Sequence, residues 1–462
     1  MSIQNYKKLY FIGLKGAGMT ALAQALKAQG HIVNGSDIRD EFFTDKVLKK
    51  EEIHCFQGFS KDNVPRDVDA VVYSTAYSED NEEIAYSIKQ GIPMFTYPMA
   101  LGSLIKSKKE SIAIAGTHGK TTITALLGWV LEEGEKDPSV IIGAKSINWQ
   151  SNARAGKSSV FVFEADEYQN KFQYYSPHFI VLTNIDFDHP DYFKDFLEYR
   201  KAFRDFIQKV PKDGCIFANY DHLEVRHIVQ ESAKPVIWYG EHHLVDWQLL
   251  ERTTLTSGQR LRVGHKNMFY AEVETSLIGK HNALNCLPVI ACAYKLGVLK
   301  EKIIDGLRTF RGTARRLEFV GSPNGITIID DYAHHPREIQ ASINALREQY
   351  LKKKLFCVFQ PHTYSRTEAL LSDFSSSFQL VDSLVLVEIY GSAREQKGYI
   401  TIHDLAKLSK KYNAYITVVA TVEEAVSYLK DKLKSGDLLV TMGAGDTWKV
   451  AEELNKILST KY

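Results

Sequence analysis

The amino-acid sequence predicts an α/β protein built from three domains. Two observations carry this reading. Three times a short apolar strand runs into a glycine-rich or polar turn and then an amphipathic helix: from Lys8 (KLYFIGLKGAGMTALAQALKAQG), from Glu110 (ESIAIAGTHGKTTITALLGWVLEEG) and from Lys354 (KLFCVFQPHTYSRTEALLSDF). Further strand-length runs, DAVVYST, SSVFVFEAD, HFIVLTNID, GITIIDDYA, SLVLVEIYG and DLLVTMGAGD, are continuously apolar rather than alternating. Strands read this way when helices cover both faces of a parallel sheet. A chain of 462 residues also exceeds what one core organises.

The joints are polar. LIKSKKE, Leu104 to Glu110, precedes the second strand–turn–helix unit, and RTFRGTARRLEFV, Arg308 to Val320, precedes the last third. Domains are therefore expected at 1–107, 108–313 and 314–462. The first and last are Rossmann-like and the central one is P-loop ATPase-like, with a mostly parallel sheet. The segment DWQLLERTTLTSGQRLRVGHKNMFYAEVETSLIGK alternates as antiparallel strands do, which predicts a small β addition to the central domain.

Composition excludes several classes. Lys plus Arg is 57 against 56 Asp plus Glu, so no basic surplus points to nucleic acid or a membrane surface. No apolar stretch approaches the roughly 20 residues that span a bilayer, and the first residues carry no cleavable leader pattern. Cys55, Cys215, Cys286, Cys292 and Cys357 are scattered without CxxC pairs and read as buried thiols in a reducing compartment. A cytoplasmic enzyme with small-molecule substrates, monomeric or homodimeric, is expected.

Gly116-Thr117-His118-Gly119-Lys120-Thr121-Thr122 lies between an apolar strand and a helix. Glycines let backbone N–H groups turn toward phosphate oxygens at the positive end of the helix. Lys120 can bridge the outer phosphates, and the Thr121 hydroxyl can hold Mg²⁺. The loop is shorter than GxxxxGK[ST]. Gly13-Leu14-Lys15-Gly16-Ala17-Gly18 occupies the same position in the first domain, as GxxGxG rather than the dinucleotide order GxGxxG, with Asp37 ending the next strand. Whether that loop takes NAD or another diphosphate is open at these residues alone.

Strand ends beside a phosphate loop are where metal ligands belong. Glu164, with Asp166 and Glu167 beyond it, ends one strand; Asp186, Asp188 and His189 follow the next. Glu164 and His189 are the preferred ligands. His281, Asn282 and Asn285 open a later helix, where a capping asparagine is one explanation and a purine contact another. In the last domain Asp330, Asp331, Tyr332, His334 and His335 follow one strand, His362 and Arg366 another, and Arg315 and Arg316 lie in the joint. Histidines serve as bases near neutral pH, and arginines grip carboxylates or phosphates.

Together and in this order, GTHGKTT, TNIDFDHPDYF, GKHNALN, DDYAHHP, FQPHTYSRT, GSAREQKG and MGAGD resemble the Mur ligase family of peptidoglycan precursor synthesis, over nearly the whole chain. The resemblance implies domains for UDP-sugar, ATP and amino acid in chain order. Gly13, Gly16, Ala17, Gly18 and Met19 would cradle the UDP diphosphate, with Ser36, Asp37, Ser74 and Thr75 nearby. Residues Gly116 to Thr122 would hold the ATP phosphates, His281, Asn282 and Asn285 the adenine, and Arg316 and Asp331 would close over ATP. Thr121, Glu164 and His189 would serve Mg²⁺, while Tyr332, His334, His362 and Arg366 would receive the amino acid. Lys120, His189, Arg316, Asp331 and His334 form the expected catalytic set.

The pairing of DDYAHHP with QPHTYSRT resembles the members that add L-alanine to the carboxylate of UDP-N-acetylmuramate through an acyl-phosphate. Two features bear on this. EADEY followed by QNKF also looks like the recycling members that add the tripeptide L-Ala-D-Glu-diaminopimelate. Other members carry a carbamylated lysine some fifteen residues after the metal histidine, a position near Arg204 here, and the resemblance to the alanine-adding type implies its lack. An NAD-dependent dehydrogenase would leave the Gly116–Thr122 loop and DDYAHHP unexplained. A non-catalytic nucleotide-binding regulator would leave unexplained the density of reactive side chains at strand ends.

Overall fold

The computed structural model describes residues 2–391, 398–413 and 415–460. Among these the strands form three sheets, and every apolar run named above supplies one of them. Most of the GSAREQKG motif lies outside the described residues.

The first sheet is parallel throughout, in the order His54–Gln57, Ile32–Asp37, Lys8–Ile12, Ala70–Tyr73, Met94–Thr96. Chain order reverses between Lys8–Ile12 and Ala70–Tyr73, which opens a crevice at their carboxyl ends. Gly13 and Ser74 follow these two strands and so flank the crevice. Gly13 must be glycine here, since its φ is +84° and an added Cβ would lie 2.7 Å from the Tyr77 ring.

The central sheet has ten strands. Its parallel part runs Val236–Gly240, Cys215–Asn219, Phe179–Leu182, Glu110–Ala115, Val160–Glu164, Ser139–Ser146, so the Glu110–Ala115 strand before the phosphate loop sits in the middle. The expected β addition is present: Trp247–Thr254, Gln259–His265 and Met268–Thr275 pair antiparallel at one edge. Helix Lys120–Glu133 buries Ile123, Leu126, Leu127, Val130 and Leu131 between this sheet and the helices Lys280–Lys295 and Lys300–Thr309. Helix-on-both-sides burial of this kind holds the phosphate loop rigidly to the core.

The third sheet runs Glu318–Gly321, Thr327–Asp331, Leu438–Met442, Leu355–Phe359, Ser383–Val387, Ile416–Val419, parallel except for its first strand. Its interior strands are buried along their full length, which explains their unbroken apolar sequences. Four cysteines are buried and Cys55 is half-buried, all as free thiols. No helix among the described residues is long and apolar enough to cross a membrane.

Candidate active site

The phosphate loop takes its shape from two glycines in left-handed backbone, Gly116 at φ +135° and Gly119 at φ +84°. A Cβ on Gly116 would sit 2.0 Å from Thr183 Oγ1, so no other residue fits there. Lys120 is the first residue of its helix, and its ammonium donates to the Gly116 carbonyl, to the Thr117 carbonyl at 3.1 Å and to Glu167 at 3.0 Å. Burial alone would favour the neutral amine, but Glu167, Asp166 and Glu164 outweigh it and raise the Lys120 pKa above its ordinary value. The lysine is charged.

The Thr121 hydroxyl donates to Glu164 Oε2 at 3.2 Å, and the Gly143 N–H donates to Glu164 Oε1 at 2.6 Å. Burial raises the Glu164 pKa, against the Gly143 hydrogen bond and the charges of Arg316 and Lys120. A half-buried carboxylate and a hydroxyl converging at the loop are hard oxygen donors of the kind Mg²⁺ takes, so these residues fit the ion. His189 belongs to a second group, in which Asp166, Glu167 and His189 present ligand atoms all within 4.8 Å of one another. The three expected metal residues are thus divided: Thr121 with Glu164, and His189 with Glu167 and Asp166. His189 has left-handed backbone, φ +59°, and its ring lies 4.6 Å from that of Tyr168.

A cleft of about 190 Å³ joins the phosphate loop to the third domain. His118 and Gly119 line it on one side, His281, Asn282 and Asn285 on a second, and Arg316 and Asp331 on a third. Burial lowers the His281 pKa to about 4, leaving a neutral ring at physiological pH. Asn285 donates to Asn282 Oδ1 at 3.2 Å, and Asn282 donates to the Ile278 carbonyl at 2.9 Å, which fixes both amides. Arg316 reaches across the domain joint to donate to Thr121 Oγ1 at 3.4 Å. Asp331 accepts from the Ala333 N–H and the Ser342 hydroxyl, both at 2.8 Å, while burial pushes its pKa up to about 6 against the pull of Arg316.

Beyond this cleft the other third-domain residues gather. Tyr332 lies beneath the guanidinium groups of Arg315 and Arg316, 5.0 and 5.2 Å from its ring centre. Its carbonyl is 2.9 Å from His334 Nδ1, so Nδ1 carries the proton and Nε2 is left as acceptor. Burial drives the His334 pKa down to about 3, with Glu338 opposing and Arg366 reinforcing the fall. The His362 ring stands 6.4 Å from that of His334 and stacks on Tyr390 at 5.6 Å. Arg366 is not open to solvent: it grips Asp188 of the central domain.

In the first domain, Asp37 shapes the loop it was expected to serve. Its Oδ2 accepts the Lys15 N–H at 2.6 Å, and its Oδ1 accepts the Ile38 N–H at 2.8 Å and the Tyr77 hydroxyl at 3.1 Å. Ser36 donates to the buried Glu83. Gly18 abuts Tyr97, where a Cβ would meet the ring at 2.9 Å, and Asn152 of the central domain donates to the Ala17 carbonyl at 2.6 Å. Met19 is buried, while Gly16 and Thr75 remain at the mouth of the crevice.

Comparison with known proteins agrees with this architecture domain by domain. The family model described as Mur ligase family, catalytic domain, matches residues 8–109, the Mur ligase middle domain matches 114–293, and the Mur ligase glutamate ligase domain matches 315–445. The chain belongs to the Mur ligase family. A UDP-N-acetylmuramate–L-alanine ligase of Desulfitobacterium hafniense is 40% identical over 448 residues, covering 96% of this chain and 99% of the relative. One from Caldanaerobacter subterraneus is 36% identical over 460 residues, covering 98% of each. The crystal structure of a UDP-N-acetylmuramate-alanine ligase from Thermotoga maritima superposes with a TM-score of 0.84 at 27% identity, over 98% of this chain and 100% of that one. A murein peptide ligase from Psychrobacter arcticus shares the fold, with a TM-score of 0.74 at 24% identity over 98% and 99% of the two chains.

Arg204 is half-exposed and meets Glu231 at 3.8 Å, on the outer face of its helix. Residues of the cleft that were not singled out by sequence include Asn184, whose Oδ1 accepts the His118 N–H at 2.8 Å, and Arg337 and Glu338. Asn184 lies inside the quoted TNIDFDHPDYF, so position in that motif was its only signal. Arg337 and Glu338 open a helix, where charged residues are ordinary.

Proposed function

We propose that this Mur ligase joins L-alanine to the carboxylate of UDP-N-acetylmuramate, driven by ATP through an acyl-phosphate. The observation that carries the reading is the cleft in which the phosphate loop, the start of helix Lys280–Lys295 with His281, Asn282 and Asn285, and the residues Arg316 and Asp331 converge. The curated relatives similar over nearly the whole chain bear the name of this reaction.

ATP supplies the phosphoryl group that turns a carboxylate into an acyl donor, and Mg²⁺ at Thr121 and Glu164 would neutralise charge on it. Lys120, held positive by three carboxylates, offsets charge developing on the transferred group. Arg316, already touching Thr121, brings a second positive charge from the third domain. Neutral His281 offers a flat face for adenine. The alanine nitrogen attacks the acyl carbon as a neutral amine, although its ordinary pKa is about 8; the C–O bond to the phosphoryl group breaks, and inorganic phosphate leaves with the surplus amine proton. His334 presents Nε2 as a hydrogen-bond acceptor that orients that nitrogen, and its low proton affinity makes it an orienting group rather than the final carrier of the proton. Closure of the third domain over the cleft shields the acyl-phosphate from water. We place the reaction in the cytoplasm, in a monomer or homodimer.

One observation favours a second reading. Tyr168, in the segment that looks like the tripeptide-adding members, packs on His189. Phosphate release from ATP and Mg²⁺ with UDP-N-acetylmuramate, adding L-alanine or the tripeptide in parallel, separates the two. Release dependent on alanine supports the proposal, release only with the tripeptide moves the function to peptide recycling, and none with either overturns both.

A further inference from the structure

Glu338 stands at the third position of helix Pro336–Gln349, where an acidic side chain ordinarily turns back to the residue capping the helix. Here the cap, His335, accepts the Arg337 N–H with its own ring at 3.3 Å. Glu338 goes elsewhere. Its Oε1 lies 3.1 Å from Nδ1 of His118, in the phosphate loop of the central domain. Its Oε2 accepts the His334 N–H at 3.2 Å and lies 3.5 Å from His334 Nδ1.

We propose that Glu338 is a positioning residue that couples the phosphate loop to the amino-acid pocket, one carboxylate oxygen on His118 and the other on His334. This rests on the proposed function for the identity of the amine, and on geometry for the coupling.

His118 is fixed on its other side. Its Nε2 lies 3.3 Å from Asp186 Oδ2, and Asp186 is gripped by Arg337 at 2.7 Å, the residue next to Glu338. The Asp186 backbone is tied in turn to the loop through Thr117, whose hydroxyl accepts the Asp186 N–H and donates to its carbonyl, both at 2.9 Å. The imidazole is thus held through Nδ1 by Glu338, with the Asp186 carboxylate facing its Nε2. The Glu338–His334 contact is internal to the third domain, whereas the Glu338–His118 contact exists only while that domain is docked on the loop. Docking thus sets the position of the carboxylate, and the carboxylate sets the segment that carries the amine-facing histidine. A glutamine at 338 has one acceptor oxygen and one NH₂ donor, so it cannot accept from both His118 and the His334 N–H through separate oxygens as the carboxylate does.

The test is a double-variant cycle on the full chain with Glu338→Gln and His118→Asn, measuring KM for ATP and for the amine. Wild-type phosphate release first identifies the amine; if the tripeptide is used instead of alanine, its KM is read in the same cycle, so failure of the substrate reading stays separate from failure of the coupling. Each single variant should raise the amine KM about tenfold, and the double variant should be no worse than the poorer single one. Should His118→Asn change the ATP KM and leave the amine KM untouched, the coupling is overturned. Effects that multiply in the double variant overturn it too. If Glu338→Gln fails to fold, as judged by circular dichroism, the amine KM of His118→Asn decides alone.

Discussion

Arg366 of the third domain places Nε and Nη2 at 3.0 and 2.9 Å from Oδ1 of Asp188 in the central domain, with both side chains less than a tenth exposed. Burial would raise the Asp188 pKa, yet Arg366, aided by His189, holds it far below the usual carboxylate range. Removing one partner of such a pair leaves the other charge buried and uncompensated, at a cost of about 3 kcal/mol or more. Asp188→Asn should therefore lower stability by that amount in urea denaturation and weaken docking of the third domain. Unchanged stability together with unchanged alanine KM would show that the pair neither holds the domains nor presents Arg366.

Lys120 balances Glu164, Asp166 and Glu167 as well as facing the phosphates. Lys120→Ala should cut alanine-dependent phosphate release at least about 100-fold, the scale of losing one preorganised charge at a transferring group. Retention of full turnover would remove the phosphate-loop assignment.

Much of this was readable in advance, for a physical reason. Interior strands of a parallel sheet are apolar along their length, so runs such as SIAIA and FCVF announce both strand and burial. The phosphate loop carries its chemistry in seven consecutive residues. Contacts between domains have no such local signature. Arg366 and Asp188 are 178 positions apart, and nothing near either names the other. Glu338 was hidden differently: an acid in the first turn of a helix is fully explained by the helix dipole, so its link to His118 appears only in three dimensions. The grouping of His189 with Asp166 and Glu167, while Thr121 meets Glu164, likewise depends on side-chain placement that spacing along the chain does not encode.

Mg²⁺ binding at Thr121 and Glu164 predicts that chelation abolishes phosphate release and that added Mg²⁺ restores it. Glu164→Gln should raise the Mg²⁺ concentration for half-maximal rate at least about tenfold. Arg204→Ala, on the outer face, should leave that concentration unchanged. A Mg²⁺ titration of the three proteins checks both statements, and equal curves for wild type and Glu164→Gln would exclude Glu164 as a ligand.

Asp331 predicts a gain in stability with a defined pH window. Its pKa is raised from 3.8 to about 6 in the folded chain, chiefly by burial. Below about pH 4 the group is protonated in both states and costs nothing. As pH rises through that window the unfolded chain ionises first, so the fold loses stability until about pH 6, and the loss is constant above. Asp331→Asn removes it, on the order of 2–3 kcal/mol at pH 7. The amide can still accept the Ala333 N–H and meet the Ser342 hydroxyl, so shape and hydrogen bonding are kept. Turnover should fall nonetheless, because the charge facing the cleft is lost; a destabilising carboxylate retained at such a place is what a functional role looks like. Urea denaturation at pH 7 and pH 4 checks the origin of the gain. Equal stabilisation at both would mean that ionisation of Asp331 is not its source.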